Sequence, residues 1–500
     1  MSSSALSPDA RAVERLPYAF AKRHGVISAR QLEQGFEIWV RPGVRAAVLA
    51  EVQRSLGGPL ALRELAKEAF DAALARAYER GASHAADIVT DLDANPDLAA
   101  LAESLPKVAD LLESEDDAPI VRLINALFSQ AVRENASDIH IEAFDRRSVV
   151  RFRRDGMLRD VLEPPQVVHG VIVSRIKIMA RLDIAEKRQP QDGRIALRLA
   201  GRSVDVRVSI LPTAHGERVV LRLLDKQAGR LDLTSLGMAD TTLASLRELV
   251  RQPHGIILVT GPTGSGKTTT LYAALGQLDA KRTNIVTVED PIEYDLDGVG
   301  QTQVNPRIEL TFARALRAIL RQDPDVVMIG EIRDLETAQI AVQASLTGHL
   351  VLATLHTNDA AGAVVRLVDM GIEPFLVASS LLGVLAQRLV RRLCPACRKS
   401  HPPDAAERRL LSNGNGAAKL LYTADGCEAC TFTGYQGRSG IFELLLVDDE
   451  ARRLIHDRAA EADLREHARR GGMKGLREDG LRWVRSGETS LEEVLRVSRE

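Results

Sequence analysis

The sequence predicts an α/β fold, because short apolar runs alternate with helical stretches through its second half. Between about residues 240 and 500, candidate strands lie at Ile256–Val259, Ile285–Val288, Val326–Ile329 and Leu350–Leu355. Helical stretches between several of them indicate a mostly parallel sheet. A glycine-rich segment follows the first of these strands and opens a helix, which is typical of a phosphate-binding loop on such a sheet. Upstream, one helix and several alternating strands predict a separate α+β domain.

Length and charge exclude some classes of function. The chain has 500 residues, enough for about three domains, and its formal net charge is −2. This balance argues against a generic nucleic-acid binder, which usually carries a basic excess. The nearest candidate for a membrane span, Phe375–Ala386, is too short and contains Ser379 and Ser380. The first four residues lack the pattern of a secretory signal, so we expect a cytosolic protein whose membrane contact is peripheral.

Residues 1–85 are predicted to form a small, mainly helical domain. Its apolar residues step at threes and fours, as on one helix face, at Leu62, Leu65, Ala69, Ala73 and Ala77. An acidic linker follows at 86–118. We interpret it as a solvated hinge, with an acidic docking site as the alternative.

The second predicted domain, 119–225, is α+β. Its first helix carries a stripe of apolar residues, Ile120, Leu123, Ile124, Leu127 and Phe128. Two strands with alternating apolar residues flank Ala200–Arg202, which predicts a hairpin. A linker at 226–239 leads to a nucleotide-binding core at 240–385, a cysteine element at 386–445 and a helical C-terminal region at 446–500.

The phosphate loop is the most specific motif in the chain. Its glycines allow backbone N–H groups to curl around phosphate oxygens, and the following helix N-terminus favours anions. Lys267 is expected to reach the β- and γ-phosphates of ATP, and the Thr268 hydroxyl to bind Mg²⁺. The predicted nucleotide-binding residues are Gly261, Pro262, Thr263, Gly264, Ser265, Gly266, Lys267, Thr268 and Thr269.

Two acidic residues are candidates for the catalytic carboxylates. Glu331 ends a Walker B-like strand, in which Gly330 replaces the usual aspartate. Glu289 opens a second acidic cluster at the end of the preceding strand. One carboxylate must hold Mg²⁺ and another must orient or deprotonate the attacking water. We favour Glu289 for the water and Glu331 for Mg²⁺, although the sequence leaves the reverse assignment open, and either residue could be a helix cap or a surface charge.

Two histidines flank the next strand. His349 precedes Leu350–Leu355 and His356 follows it. A lone histidine is usually a satisfied core residue, but a pair flanking the strand after Walker B favours sensors of the γ-phosphate.

Four cysteines form two CxxC pairs, Cys394 with Cys397 and Cys427 with Cys430. Four thiolates in such pairs suit a tetrahedral Zn²⁺ site with a looped-out segment between the pairs. A redox role would need only one pair beside a thioredoxin-like unit. Basic residues cluster next to the first pair and predict either a solvated face or a contact with acidic lipids; they are Arg388, Arg391, Arg392, Arg398 and Lys399.

Taken together, these motifs resemble the secretion ATPase superfamily of type II secretion, type IV pili and related machines. The resemblance includes the acidic box 288–293, the Gly330-Glu331 pair and the histidine box 347–356. It extends to 136–142, 191–194 and 212–218, and residues 16–26 are similar to the type II secretion branch.

The resemblance implies a RecA-like motor that assembles into a hexamer, with ATP between the motor and the second N-terminal domain. Arg207, Arg218 and Arg222 match the arginines of that domain that complete the site, although each could instead form a surface ion pair. The tetracysteine element agrees with assembly-type members of the superfamily.

The implied function is that of an ATP-hydrolysing type II secretion motor on the cytoplasmic face of the bacterial inner membrane. It would drive pseudopilus assembly and the export of folded proteins from the periplasm across the outer membrane. Its first domain would dock to the cytoplasmic domain of a platform protein of the L type, with a polytopic platform protein of the F type as a further partner. Acidic lipids are a further candidate contact, and no nucleic-acid partner is expected.

Three other functions remain as alternatives. A type IV pilus assembly ATPase is the nearest, because its motor motifs are almost the same. A DNA-translocating motor with a zinc-finger module would show DNA-stimulated ATPase activity. A regulatory protein that binds nucleotide without hydrolysis is disfavoured by Glu289, Glu331 and the histidine box.

Overall fold

The computed structural model describes residues 9–13, 15–16, 20–21, 24–32, 35–66, 69–70, 73–74, 77, 118–199, 202–225, 232–411 and 419–498. These residues fall into two compact units. One lies within Met1–Glu134, Ile141–Val150 and Leu162–Val220, and the other within Asn135–His140, Arg151–Val161 and Leu221–Glu500. The predicted linkers lie outside the described residues over 86–117 and 226–231. Within the described ranges, no helix combines the length and apolar character that crossing a bilayer requires.

The described part of the N-terminal domain contains helices, as predicted, together with a three-stranded sheet that the sequence argument did not predict. The elements are α1 (Ala10–Val13), β1 (Val26–Leu32), β2 (Gly35–Val40), α2 (Ala46–Leu56) and β3 (Leu60–Glu64). β1 and β2 form an antiparallel hairpin, and β3 lies parallel to β2. One member of the predicted helical pattern, Leu62, lies in β3 and is 52% exposed. Ala69, Ala73 and Ala77 are helical, and Ala73 and Ala77 are buried.

The second predicted domain forms a six-stranded sheet with two helices. Its strand order is β6-β5-β4-β9-β8-β7. The elements are α3 (Ala118–Arg133), β4 (Asp138–Ala143), β5 (Ser148–Arg154), β6 (Met157–Leu162), α4 (Gln166–Met179), β7 (Gln191–Leu199), β8 (Arg202–Thr213) and β9 (Gly216–Asp225). The apolar stripe on α3 is buried, as predicted. β7 and β8 pair antiparallel, which confirms the pairing of the predicted hairpin, while residues 200 and 201 of its turn lie outside the described residues.

The nucleotide-binding core is built on a seven-stranded sheet, and all four strands predicted for it are confirmed. The order is β12-β11-β13-β14-β10-β15-β18. The strands are β10 (Gly255–Thr260), β11 (Ile285–Glu289), β12 (Gly300–Gln303), β13 (Val326–Ile329), β14 (Leu350–Leu355), β15 (Leu381–Leu393) and β18 (Tyr435–Leu446). β18 runs antiparallel to β15, and the other paired strands are parallel. The segments that follow β10, β11, β13 and β14 therefore meet at one edge of the sheet, where ligands of such folds bind.

Helices cover both faces of this sheet and bury its apolar strands, whose side chains belong to two hydrophobic clusters. They are α5 (Asp240–Val250), α6 (Lys267–Leu275), α7 (Phe312–Ile319), α8 (Leu335–Leu346), α9 (Ala360–Asp369) and α10 (Pro374–Ser380).

The cysteine element is continuous with the sheet. Its predicted start, residue 386, lies inside β15. Between β15 and β18 lie β16 (Lys399–His401), α11 (Ala405–Leu411) and β17 (Leu421–Thr423). The predicted helical C-terminal region contains α12 (Asp449–His456), α13 (Glu461–Arg470), α14 (Leu476–Arg485) and α15 (Leu491–Val497).

Candidate active site and cysteine cluster

The predicted phosphate loop connects β10 to α6. Gly261, Gly264 and Gly266 have φ values of 147°, 79° and 89°, in the region that glycine adopts without strain. A Cβ atom on Gly261 would lie 2.5 Å from the Gln387 carbonyl oxygen and 2.6 Å from Ser265 Oγ. The tight curl of the loop therefore depends on glycine, and it ends where the N-terminus of α6 favours an anion. Thr268 and Thr269 lie half-buried in the first turn of α6.

Lys267 is held at the centre of this edge by backbone oxygens. Its ammonium group donates to the carbonyl oxygens of Gly261 at 2.7 Å and Pro262 at 3.1 Å. Burial lowers the pKa of Lys267 to about 8, although the nearby Glu331 charge acts in the opposite direction. A cation held by neutral oxygens in a buried site is well suited to an anionic ligand such as a phosphate.

Glu331 adjoins this lysine at the end of β13. Its Oε1 lies 2.5 Å from Arg333 Nη2, and its Oε2 lies 3.5 Å from His356 Nε2. His356 Nδ1 is in turn 3.5 Å from the Lys267 ammonium. Burial and the Lys267 charge lower the pKa of His356, which favours its neutral form. Lys267, His356 and Glu331 thus form one contiguous polar chain at the phosphate loop.

Gly330 has a packing reason to replace the usual aspartate. A Cβ atom at this position would lie 3.3 Å from both Glu289 Cα and the Val288 carbonyl oxygen. The Gly330 N–H also donates to the Val288 carbonyl at 2.8 Å. A larger residue would push β13 away from the end of β11.

Glu289 occupies a different environment from Glu331. It is buried, and its carboxylate accepts hydrogen bonds from Thr287 Oγ1 at 2.6 Å, Gln301 Nε2 at 3.1 Å and the Tyr272 hydroxyl. Burial, followed by the hydrogen bond to Glu289, raises the pKa of Tyr272. Both carboxylate oxygens therefore already have protein donors, and the activation of water by Glu289 stays a prediction.

The structure does not bring His349 to the phosphate loop. Its Nδ1 lies 2.8 Å from the Ala344 carbonyl oxygen and 3.2 Å from Thr347 Oγ1, at the opposite end of β14 from His356. A strand of this length separates the two histidines by about 20 Å. Among the described residues, the hydrogen-bonding contacts of His349 do not include the phosphate loop. Its predicted role as a sensor stays a prediction.

The three predicted arginines lie on the six-stranded sheet. Arg218 and Arg222, on β9, pair with carboxylates on β4: Arg218 Nη2 is 2.5 Å from Glu142 Oε1, and Arg222 Nε is 2.9 Å from Asp138 Oδ1. Arg207 lies on β8, opposite Arg194 of β7. The described contacts of Arg218 and Arg222 are ion pairs, and the catalytic role predicted for the three arginines stays a prediction.

Two residues of β15, Gln387 and Arg388, lie beside the phosphate loop and were missed as site residues by the sequence argument. Gln387 Nε2 donates to the Ser265 carbonyl at 2.7 Å, and Arg388 Nη2 donates to the Asn358 carbonyl at 2.8 Å. Only the parallel pairing of Ala386 with Thr260 brings them there. The sequence offered one weak signal, because a glutamine and an arginine interrupt an apolar strand.

The other four basic residues of the predicted cluster have partners within the chain. Arg391 pairs with Glu493 and Arg392 with Glu488, each at 2.7 Å. Arg398 donates to the Gly487 carbonyl at 2.6 Å, and Lys399 lies 2.9 Å from Asp425. These pairs reduce the charge available to a lipid headgroup, and the contact with acidic lipids stays a prediction.

The four cysteines converge as predicted. Their Sγ atoms all lie within 4.8 Å of one another, with separations of 3.9 Å for Cys394–Cys427, 3.8 Å for Cys397–Cys430 and 3.8 Å for Cys427–Cys430. Four thiolates at about 2.3 Å from a tetrahedral Zn²⁺ would lie about 3.8 Å apart. The spacing fits zinc, and the use of both pairs argues against a single-pair redox motif.

Backbone N–H groups support thiolates in this cluster. Cys430 Sγ accepts from the Cys427 N–H at 3.2 Å and the Gly434 N–H at 3.1 Å, and Cys397 Sγ from the Gly426 N–H at 3.3 Å. Burial raises the pKa of Cys397 to about 11. Burial alone would also raise the pKa of Cys430, but the backbone donors and the neighbouring thiols Cys397 and Cys427 together lower that pKa to about 6. A low thiol pKa favours the form that binds metal.

The chain matches a family of known proteins over most of its length. The family described as "Type II/IV secretion system protein" matches residues 113–496, and a family described as an N-terminal domain of GSPII protein E matches residues 15–78. The chain is 60% identical to type II secretion system protein E of Pseudomonas aeruginosa over 97% of this chain and 96% of the relative. It is 56% identical to the type II secretion system ATPase E of Vibrio cholerae over 100% of both chains.

Two solved structures have a similar fold. The pilus retraction motor PilT with bound ADP is 27% identical, with a TM-score of 0.51, over 75% of this chain and 96% of that one. The ATPase DotB of Legionella pneumophila is 21% identical, with a TM-score of 0.56, over 75% and 95% of the two chains. The chain therefore belongs to the type II/IV secretion system protein family, in the branch of type II secretion system protein E.

Proposed function

We propose that this chain is the ATP-hydrolysing motor of a type II secretion system. The observation that carries the proposal is the convergence of Lys267, His356 and Glu331 at the end of a phosphate loop. Lys267 is a cation and His356 a proton donor beside the expected γ-phosphate, and Glu331 is a carboxylate. Electrostatic stabilisation of the transferred phosphoryl group needs positive charge at this point.

Each loop residue has a role that follows from its position. Lys267 would exchange its contacts with the Gly261 and Pro262 carbonyls for oxygens of the β- and γ-phosphates. Mg²⁺, which neutralises phosphate charge when bound, would be held by the Thr268 hydroxyl and by Glu331. His356, which contacts both Lys267 and Glu331, is placed to respond to the γ-phosphate.

The carboxylate of Glu289 must be released before it can accept a proton from the attacking water. Tyr272, Thr287 and Gln301 all donate hydrogen bonds to it. For Glu289 to act on water, Thr287 or Gln301 must give up its contact. We therefore assign Glu331 the larger share of the catalytic effect and keep Glu289 as the water-orienting residue.

The work of the motor would be pseudopilus assembly and export of folded proteins from the periplasm across the outer membrane. The relatives named as type II secretion system protein E support this assignment. We propose a hexamer at the cytoplasmic face of the inner membrane, with Arg207, Arg218 and Arg222 contributing charge to the nucleotide. The N-terminal domain predicted at residues 1–85 would dock to the cytoplasmic domain of an L-type platform protein, and the F-type platform protein would be a further partner. The family match over residues 15–78 supports this role for the domain.

A type IV pilus motor is the alternative, since a solved structure of similar fold is described as a pilus retraction motor. The match over residues 15–78 favours secretion, because that domain is described as part of GSPII protein E. Capture of an L-type platform protein by the full-length chain would support secretion. Capture of pilus assembly proteins instead would support the alternative.

ATP hydrolysis by the full-length chain tests the proposed activity. Lys267→Ala should abolish turnover, because it removes the cation that holds the phosphates. Lys281→Ala, an exposed lysine outside the loop, is the control and should keep wild-type activity. Undiminished turnover by Lys267→Ala would refute the site, and strong stimulation of the wild type by DNA would favour a DNA-translocating motor.

A further inference from the structure

The strand β15 passes directly beside the phosphate loop and carries two polar residues there. Its parallel pairing with β10 ends at Ala386 opposite Thr260, the residue before the loop. Gln387 and Arg388 therefore flank the first residues of the loop. Neither belongs to the phosphate-loop, acidic-box or histidine motifs.

Gln387 holds the loop by a hydrogen bond from its side chain. Its side chain is buried, and Nε2 donates to the Ser265 carbonyl at 2.7 Å. Within the described residues, Gln387 Oε1 and Ser265 Oγ are buried polar atoms without a hydrogen-bond partner. Such atoms are rare in folded proteins, and two at one loop indicate an arrangement that a ligand completes.

Arg388 joins β15 to the segment after β14 and lies beside Gly261, the first residue of the loop. Nη2 donates to the Asn358 carbonyl at 2.8 Å, and Nη1 donates to the Gln387 carbonyl at 3.1 Å. Nη1 also lies 3.2 Å from the position of a Cβ atom on Gly261. An arginine stays charged in such a site, and its planar fork fixes both contacts at once.

We propose that Arg388 is a positioning residue for nucleotide binding, which holds the segment 356–358 to β15 beside the start of the phosphate loop, while Gln387 fixes Ser265 of the loop. This inference rests on the proposed ATP site and names a further residue of it. Strand β15 holds Ser265 through Gln387 and Asn358 through Arg388, so the loop and the segment after β14 are ordered before the nucleotide arrives. Less ordering is then needed on binding. Its positive charge beside Lys267 also favours a polyphosphate.

The test compares Arg388→Gln and Arg388→Lys in the full-length chain, with Arg392→Gln as the matched control. Arg392 lies on the same strand but pairs with Glu488. Affinities for fluorescent ATP and ADP analogues, unfolding temperatures and steady-state kinetics are measured for each variant. Arg388→Gln should weaken ATP binding about tenfold and raise KM more than it lowers kcat. Arg388→Lys, which keeps the charge but not the fork, should recover part of the affinity.

The unfolding temperatures of both Arg388 variants should stay near that of the wild type, and Arg392→Gln should bind ATP normally. Wild-type affinity in Arg388→Gln would overturn the proposal. An equal loss in the Gln and Lys variants, together with a lower unfolding temperature, would also overturn it, because the role would then be structural. A wild-type chain that binds ATP without hydrolysing it would contradict the proposed function and leave this test intact.

Discussion

Two polar regions of this protein differ in the partners that they provide for a buried charged side chain. At the phosphate loop, Lys267 donates to two carbonyl oxygens and lies at longer range from His356, and its pKa is lowered to about 8. In the C-terminal region, the buried Glu493 carboxylate accepts from both Arg391 and Arg496. Among the described residues, no carboxylate forms an ion pair with Lys267, whereas the pairing of Glu493 is complete within the chain. The difference separates a site prepared for a ligand from a site that stabilises the fold.

The cysteine cluster should give the largest effect, because its stability depends on an ion. Cys430→Ser removes one of four ligands and should lower bound zinc from one per chain to a substoichiometric level. Structural zinc contributes on the order of 10 kcal/mol to local folding, so the element should also become sensitive to protease. Elemental analysis and limited proteolysis measure both effects. Phe432→Ala, an exposed neighbour, is the control, and full zinc content in Cys430→Ser would exclude the tetrathiolate site.

Within the active site, the carboxylates of Glu331 and Glu289 should respond differently to substitution. Glu331→Gln should lower kcat about a hundredfold with little change in nucleotide affinity, because its charge is needed during phosphoryl transfer. Glu289→Gln should lower both kcat and the unfolding temperature, since its carboxylate also accepts from Tyr272, Thr287 and Gln301. Normal kcat in Glu331→Gln, with the full loss in Glu289→Gln, would reverse the assignment.

In the C-terminal region, where the ion pairs are complete, substitution of Glu493 should lower the free energy of unfolding. Burial by itself would raise its pKa, but hydrogen bonds from Arg496 and Arg391 lower the pKa to about 2 from 4.5. A shift of this size corresponds to about 3 kcal/mol of folding free energy, which Glu493→Gln should remove at neutral pH.

The pH dependence follows from the same shift. Because the pKa of Glu493 is lower in the folded protein, its contribution is complete above about pH 4.5 and is lost as the pH falls towards 2. Denaturant unfolding of the variant should therefore differ from wild type at pH 7 and converge with it in acid. Glu492→Gln, at an exposed neighbouring position, is the control. A difference that persists unchanged to pH 2 would exclude the ion pair as its cause.

Local patterns account for much of what the sequence predicted. The phosphate loop, four parallel strands and two CxxC pairs are short motifs, and the structure has each in its expected place. The N-terminal sheet was missed because β3 pairs with β2 across α2, and because Leu62 of β3 fits the helical period of the residues that follow it. The contacts of Glu289 with Tyr272 and of Arg388 with Asn358 join elements that are distant in sequence, and no local pattern encodes them.

Thermal unfolding of the full-length chain with and without MgATP tests the central distinction most directly. Lys267→Ala should unfold near the wild-type temperature without nucleotide and lose the stabilisation by ATP, which is about 2.7 kcal/mol at a hundredfold excess over the dissociation constant. Glu493→Gln should unfold at a lower temperature and keep that stabilisation. If ATP stabilised Lys267→Ala as strongly as the wild type, the phosphate loop would not be the ligand site that this account requires.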